Sequence, residues 1–332
     1  MKRKKILSLA ALLLGASVLA SCSGSSHLSF NANWYYDTTA NLDVNLSEET
    51  LGYEVVYESA NGLYAEHYTT TYGTGSYTTS LKTTEVEGEY VYEYSTNFTI
   101  DVSYLLRSTG ESSETFTDEV QTLVRFKSVS GGLAPLYSYK KMVCHSPNGT
   151  EVKKLDHCYT YYNYTVETTY ADGKGSATVT DFEGTYLNKK EGEEKAEKKD
   201  TFTASHEDYT YLDNEQLLFA LRGMAASSTK ASVYSAYTES KQTISINANK
   251  AVGGEFTFSE DGGEAKKRNI NYVPFSLTIN SSTPGATQSV WVAETVAPTK
   301  NTYRNVILQI ETPLSYGMGS LVYKLTSANF SK

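Results

Sequence analysis

The chain has 332 residues, a formal net charge of −9, and 28 tyrosines against 11 phenylalanines and 2 tryptophans. The acidic balance argues against nucleic acid and anionic lipid headgroups as electrostatic partners. With 3 cysteines and 6 prolines in a Tyr- and Thr-rich chain, the composition describes a sheet protein held by area and strand pairing, not a disulfide scaffold.

Lys2, Arg3, Lys4 and Lys5 form a basic head, and Ile6 to Leu19 is apolar except at Ser8, Gly15 and Ser17. This is the pattern of an export signal. The apolar run of about 14 residues falls short of the roughly 20 that a spanning helix needs. Leu19-Ala20-Ser21-Cys22 follows and resembles the bacterial lipobox. That resemblance implies a signal peptide over 1–21, cleavage before Cys22, and lipidation (diacylglyceryl, often with a third acyl chain) of Cys22. Residues 22–45 are then the anchor and a short tether, beginning with small polar residues, and 46–332 a single domain. The implied location is the extracytoplasmic side of the cell membrane, held by lipid and not by a span. Loss of the signal removes four positive charges and no negative ones, which takes the net charge from −9 to −13.

Period-two alternation dominates the rest. Tyr53, Val55 and Tyr57 share one face, with Glu54 and Glu58 on the other. Tyr90, Tyr92 and Tyr94 alternate with Glu89 and Glu93. Phe98, Ile100, Val102 and Tyr104 mark a one-sided strand, and Val120, Val124 and Phe126 another within 116–126. Further strands are predicted at 157–168, 175–183, 240–247, 272–281, 288–295, 303–311 and 319–327. Asn61-Gly62, Asn148-Gly149, Asp172-Gly173 and Asp261-Gly262-Gly263 supply turn chemistry between them. Short turns imply antiparallel order, and one polar face implies a sheet solvated on one side. The Glu- and Lys-dense stretch 189–199 is predicted to be an exposed loop or hairpin tip.

One helix is predicted, at about 213–225. Asp213 caps it, Gln216 completes a capping box, and Leu217, Ala220, Leu221 and Met224 recur at helical spacing. Arg222 lies near its C-terminus, where a cation offsets the helix dipole; a grip on a ligand carboxylate or phosphate is the functional alternative.

The last third resembles a family of uncharacterised bacterial envelope domains with a LolA-like fold. The resemblance is carried by Leu212-Asp213-Asn214-Glu215-Gln216-Leu217-Leu218-Phe219-Ala220-Leu221-Arg222, by Gln288-Ser289-Val290-Trp291-Val292, and by Thr312-Pro313-Leu314-Ser315-Tyr316-Gly317 before an apolar final strand. It implies a mostly β fold: a large curved antiparallel sheet, or half-barrel, around one main helix. It also implies a lipid-like or apolar ligand in the concavity, with Leu217, Leu221 and Met224 facing it and Arg222 at its mouth.

Cys144-His145 and His157-Cys158 form a mirrored pair. A metal site is disfavoured because adjacent strand residues point to opposite faces. A Cys144–Cys158 disulfide fits an exported protein and would contribute about 3 kcal/mol by closing a loop of about 15 residues. A two-residue turn at Asn148-Gly149 would instead oppose Cys144 to Lys153, so two thiols remain the alternative. Tyr35, Tyr36, Tyr159, Tyr161, Tyr162 and Tyr164 offer stacking platforms for a glycan, or cross-strand pairing. Catalytic signatures such as G-x-S-x-G, H-E-x-x-H or a P-loop are missing from the sequence. The expectation is a non-enzymatic, cofactor-free lipoprotein that binds an apolar ligand or scaffolds the envelope. A surface glycan- or protein-binding module using exposed tyrosines is the alternative.

Overall fold

The computed structural model describes residues 48–330, apart from 61–65, 87, 130–131, 149–151, 188, 205–210, 225–226, 237–238, 280–286, 295–304 and 315–316. Cys22 and the segments expected to be signal and tether, as well as the expected Asn61-Gly62 turn, lie outside these residues.

The alternating segments become strands. In chain order they are β1 (Glu48–Ser59), β2 (Tyr68–Tyr72), β3 (Gly75–Val86), β4 (Glu89–Leu106), β5 (Glu111–Ser112), β6 (Phe116–Val129) and β7 (Gly132–Pro147). After a 3₁₀ turn at Leu155–His157 come β8 (Tyr159–Ala171), β9 (Lys174–Asp181) and β10 (Ala196–Thr203). The helix α1 (Leu217–Leu221) follows a 3₁₀ turn at Asn214–Gln216. The rest is β11 (Thr229–Ser235), β12 (Ser240–Ala248), β13 (Val252–Glu260), β14 (Lys266–Ile279), β15 (Thr287–Ala293), β16 (Ile307–Pro313) and β17 (Gly319–Phe330). In β4, Phe98, Ile100, Val102 and Tyr104 are buried while Asp101 is exposed, as the alternation requires.

All of these strands belong to one hydrogen-bonded sheet. Pairing runs β10–β9–β8–β7–β6–β4–β3–β1–β17–β16–β15–β14, antiparallel throughout. β14 is long enough to carry β13 along its first half and β12 along its second. Closure comes from β13, whose end pairs in parallel with β17 at Ser259–Ser327 and Glu260–Ala328. That makes a ring of β13, β14, β15, β16 and β17. The fold is therefore a mostly β, closed barrel with one short helix. It differs from the expected open half-barrel because a single strand reaches both β14 and β17.

Among the described strands, β10 pairs only with β9 and β11 only with β12, and β10 and β11 meet through side chains. The Phe202 and Tyr234 rings stack 3.8 Å apart, Tyr234 donates to Asp200, and Lys198 pairs with Glu239. Such contacts cover edges that would otherwise offer unpaired backbone to another chain. At Asp172-Gly173 both residues have positive φ, 50° and 70°. That is the backbone of a two-residue type I′ turn, and it joins β8 to β9 directly.

Tyrosine fills the interior. Tyr53, Tyr68, Tyr72, Tyr77, Tyr92, Tyr94, Tyr104 and Tyr164 are all buried. Several span the core and end on a backbone carbonyl: Tyr53 on Ile307 at 2.8 Å, Tyr57 on Met318 at 2.7 Å and Tyr68 on Asn148 at 2.6 Å. The rings supply apolar area, and the hydroxyls satisfy acceptors that phenylalanine would leave unmet.

The helix is shorter than predicted, but its start is as read: Asp213 accepts from the backbone of Glu215, and the capping box with Gln216 is formed. Its five residues are buried on every side, which places it within the barrel. Phe219 packs on Tyr92, Tyr94 and Phe126. Arg222 forms a two-pronged ion pair with Glu49 of β1, Nη1–Oε1 2.6 Å and Nη2–Oε2 2.8 Å. Both side chains are 1% exposed. Arg222 Nε also donates to the Asn305 carbonyl, and Asn305 donates back to the Arg222 carbonyl. Arg222 does stand at the C-terminal end of α1, but its charge is matched by Glu49, and it lines neither cavity, which counters its reading as a grip on a ligand.

Breaking a buried pair from one side leaves a bare charge, at a cost of about 3–5 kcal/mol. Glu49→Gln and Arg222→Met should each lower the urea midpoint accordingly. The Glu49→Leu/Arg222→Met double variant should be less destabilised than either single change.

Candidate functional site

The segment from Tyr211 to Arg222 brings polar groups into the barrel. Ser138 of β7 donates to Asp213 Oδ2 at 2.7 Å, and the Tyr170 hydroxyl of β8 donates to the same oxygen. Tyr170 and Tyr211 share a hydroxyl–hydroxyl bond of 2.9 Å. Asn214 Nδ2 donates to the Tyr234 carbonyl at 2.8 Å, which leaves Asn214 Oδ1 buried without a hydrogen-bond partner. Glu215 Oε1 lies 3.5 Å from Lys140 Nζ of β7, with the Glu215 side chain 10% exposed. One strand, β7, therefore supplies both Ser138 and Lys140, two residues apart on the inward face.

Asn214 and Glu215 stand between two cavities and line both. The first is polar, with Ser138, Lys140, Thr168, Tyr170, Asp213 and Ser235 in its wall. The second is mainly apolar, walled by Tyr77, Tyr94, Phe98, Leu218, Ile310 and Tyr323. Thr96, Thr122, Gln288 and Thr312 give it a small polar share, and Gln288 and Thr312 bond each other at 2.9 Å. Each holds about 60 Å³ of free space and neither is sealed from solvent. By the volume one water needs, that is room for about four waters or a short stretch of an organic molecule.

Burial is the largest influence on both carboxyls and raises their pKa values above the ordinary carboxylate range. For Asp213 the hydrogen bonds from Tyr170, Ser138 and the Glu215 backbone oppose it; for Glu215 the Lys140 ammonium does.

The expected groove residues are placed differently. Leu217 and Leu221 are buried in the core, and Met224 is half-buried against it; none lines either cavity. Leu218 does so instead, together with Glu215. The 3₁₀ turn ahead of the short helix rotates these two toward the free space, a shift that helical spacing alone does not reveal. Ser138 and Lys140 were not anticipated either, because the strand carrying them was not predicted; its alternation is masked by adjacent Lys140 and Lys141.

No disulfide joins Cys144 to Cys158: both are buried thiols. The reason is register. Cys144 opposes Tyr162 across β7–β8, and Cys158 lies beyond the start of β8, where its backbone carbonyl accepts from Asn148. Cys144 Sγ is 3.5 Å from the Ser146 hydroxyl, and burial, with Asp156 adding, pushes the Cys158 thiol up to about 11. His145 stacks between Phe116 at 4.0 Å and Tyr161 at 4.7 Å, with Nδ1 3.0 Å from Asp118 Oδ1. His157 is exposed beside Asp156. Of the tyrosines proposed as platforms, Tyr162 and Tyr164 are buried, Tyr159 and Tyr161 belong to the His145 cluster, and Tyr35 and Tyr36 lie outside the described residues. Phe116 and Tyr159 also border an open surface cleft of about 670 Å³.

No family model and no curated protein matches the chain. Among solved structures, it is similar to the crystal structure of a beta-barrel-like protein of the domain of unknown function DUF1849 from Brucella abortus. The likeness has 10% sequence identity and a TM-score of 0.44, over 87% of this chain and 100% of that one.

Two measurements test this geometry. Because the folded state holds protons on Asp213 and Glu215 to higher pH than the unfolded chain does, their contribution to stability is fully present below about pH 4 and is lost as pH rises through the raised values. Glu215→Gln should therefore flatten the decline of the thermal midpoint as pH rises above about 4, relative to the parent. Separately, thiol titration of the full chain carrying Cys22→Ser should detect slow or no reaction in the native state and both remaining thiols after denaturation. Two unreactive sulfurs after denaturation without reductant would signify a bond between them.

Proposed function

We propose that this protein is a lipid-anchored, extracytoplasmic envelope protein, non-enzymatic, whose barrel interior binds a lipid-like or apolar ligand. The observation that carries the binding reading is the apolar cavity beside Leu218, lined by aromatic and aliphatic side chains with a few polar groups at one side. Binding sites for small ligands have this composition. The anchor rests on the basic head, short apolar run and lipobox-like Leu19-Ala20-Ser21-Cys22. The relation to LolA-like domains rests on the sequence resemblance together with one helix held inside a curved antiparallel sheet. The burial of eleven tyrosines among the described residues weighs against a broad glycan ledge. The second reading, a surface glycan- or protein-binding module, keeps one support in the open cleft beside Phe116 and Tyr159.

Native mass spectrometry of the chain purified from a bacterial host should find an apolar molecule retained. Leu218→Trp, which fills the cavity, should abolish retention while the barrel remains folded by circular dichroism. A parent chain that carries no such molecule and takes up none when offered alkyl ligands would overturn the binding reading.

A further inference from the structure

We infer that the ligand's polar end is a hydrogen-bond donor, a primary amine on an apolar body, and not a carboxylate or phosphate. The inference rests on the apolar-ligand reading and names the head group that the adjoining polar cavity accepts. The two cavities share Asn214 and Glu215. A molecule with its apolar part beside Leu218 and Tyr323 thus brings its other end to these two side chains.

What those side chains still lack decides the chemistry. Asn214 Oδ1 is a buried acceptor without a hydrogen-bond partner. Glu215 faces Lys140 through one oxygen, at 3.5 Å, so its carboxylate retains accepting capacity. Asp213 is already served by Ser138, Tyr170 and the Glu215 backbone, so it needs no further donor. Within this wall two carboxyls stand against the single ammonium of Lys140. An ammonium with three donors matches the open acceptors and the charge. A carboxylate or phosphate would bring further acceptors to a wall that already holds two carboxyls and would leave the Asn214 oxygen unmet. Arg222, the cation that could have received an anion, is matched by Glu49 and lines neither cavity.

The test is isothermal titration calorimetry near pH 7 with the full-length chain carrying Cys22→Ser, which takes no lipid. The probes are primary alkylamines, alcohols and carboxylates of equal chain length, from butyl to octyl. At that pH the amines are cationic and the carboxylates anionic. The amine should bind about tenfold to a hundredfold more tightly than the carboxylate, the range of one charge-assisted hydrogen bond, with the alcohol between. Glu215→Gln should erase the preference of amine over alcohol. Lys140→Met, which removes the competing ammonium, should widen the preference for amine over carboxylate and serves as the decisive variant if Glu215→Gln does not fold. Equal affinity for the three head groups, or tighter carboxylate binding, would overturn the amine assignment and leave apolar binding standing. Failure of all three series to bind would overturn both.

Discussion

Glu49 and Arg222 set the condition under which this barrel holds a helix. A charged side chain within a protein interior is tolerated only when a partner takes up its charge and hydrogen bonds. Here the first described strand supplies the carboxylate and the far end of α1 the guanidinium, with both prongs engaged. At the other end of the same short segment, Asp213 is held by Ser138 and Tyr170. The segment is thus pinned at both ends to opposite parts of the wall, β1 on one side and β7–β8 on the other. Five residues of helix would be marginal alone. Enclosed on every side by the sheet, they are positioned by their ends and by the Phe219 contacts.

The tyrosine content follows from the same enclosure. A closed sheet of long strands surrounds a wide interior, and carbonyls at strand ends, Asn148 after β7, Ile307 at the start of β16 and Met318 before β17, need donors there. Tyrosine reaches across and donates at its tip, as Tyr53, Tyr57 and Tyr68 do. Of the residues that composition offered as glycan platforms, Tyr162 and Tyr164 are buried in the interior, while Tyr159 and Tyr161 pack around His145.

The free space in the interior exists because the pinned segment does not fill it. The 3₁₀ turn presents Asn214 and Glu215 between a polar and an apolar cavity. The groups presented there are acceptors, one ammonium and apolar walls. Elsewhere, His145 bonds Asp118 through Nδ1 and its backbone N–H and is stacked against Phe116 and Tyr161.

The sequence by itself determined the β character, most strand positions, the Asp172-Gly173 turn and the start of the helix at Asp213 with its box partner Gln216. These are short-range properties: a two-residue period, a turn dipeptide, a cap three residues from its partner. It also carries the basic head, the short apolar run and the lipobox-like Leu19-Ala20-Ser21-Cys22 on which the proposed anchor rests. Strands rich in Thr, Lys or Gly, such as β3, β7 and β13, escaped because their inward positions are not uniformly apolar. Only the tertiary structure decided that β13 reaches β17 and closes the barrel. It alone decided that Arg222 belongs to Glu49, that Cys144 faces Tyr162 and not Cys158, and that Leu218 and Glu215, not Leu217 and Leu221, face the free space. Each depends on which strand lies opposite which, over separations as large as 173 residues for the ion pair. Local periodicity carries no information about pairing at that range; the register of the closed sheet does.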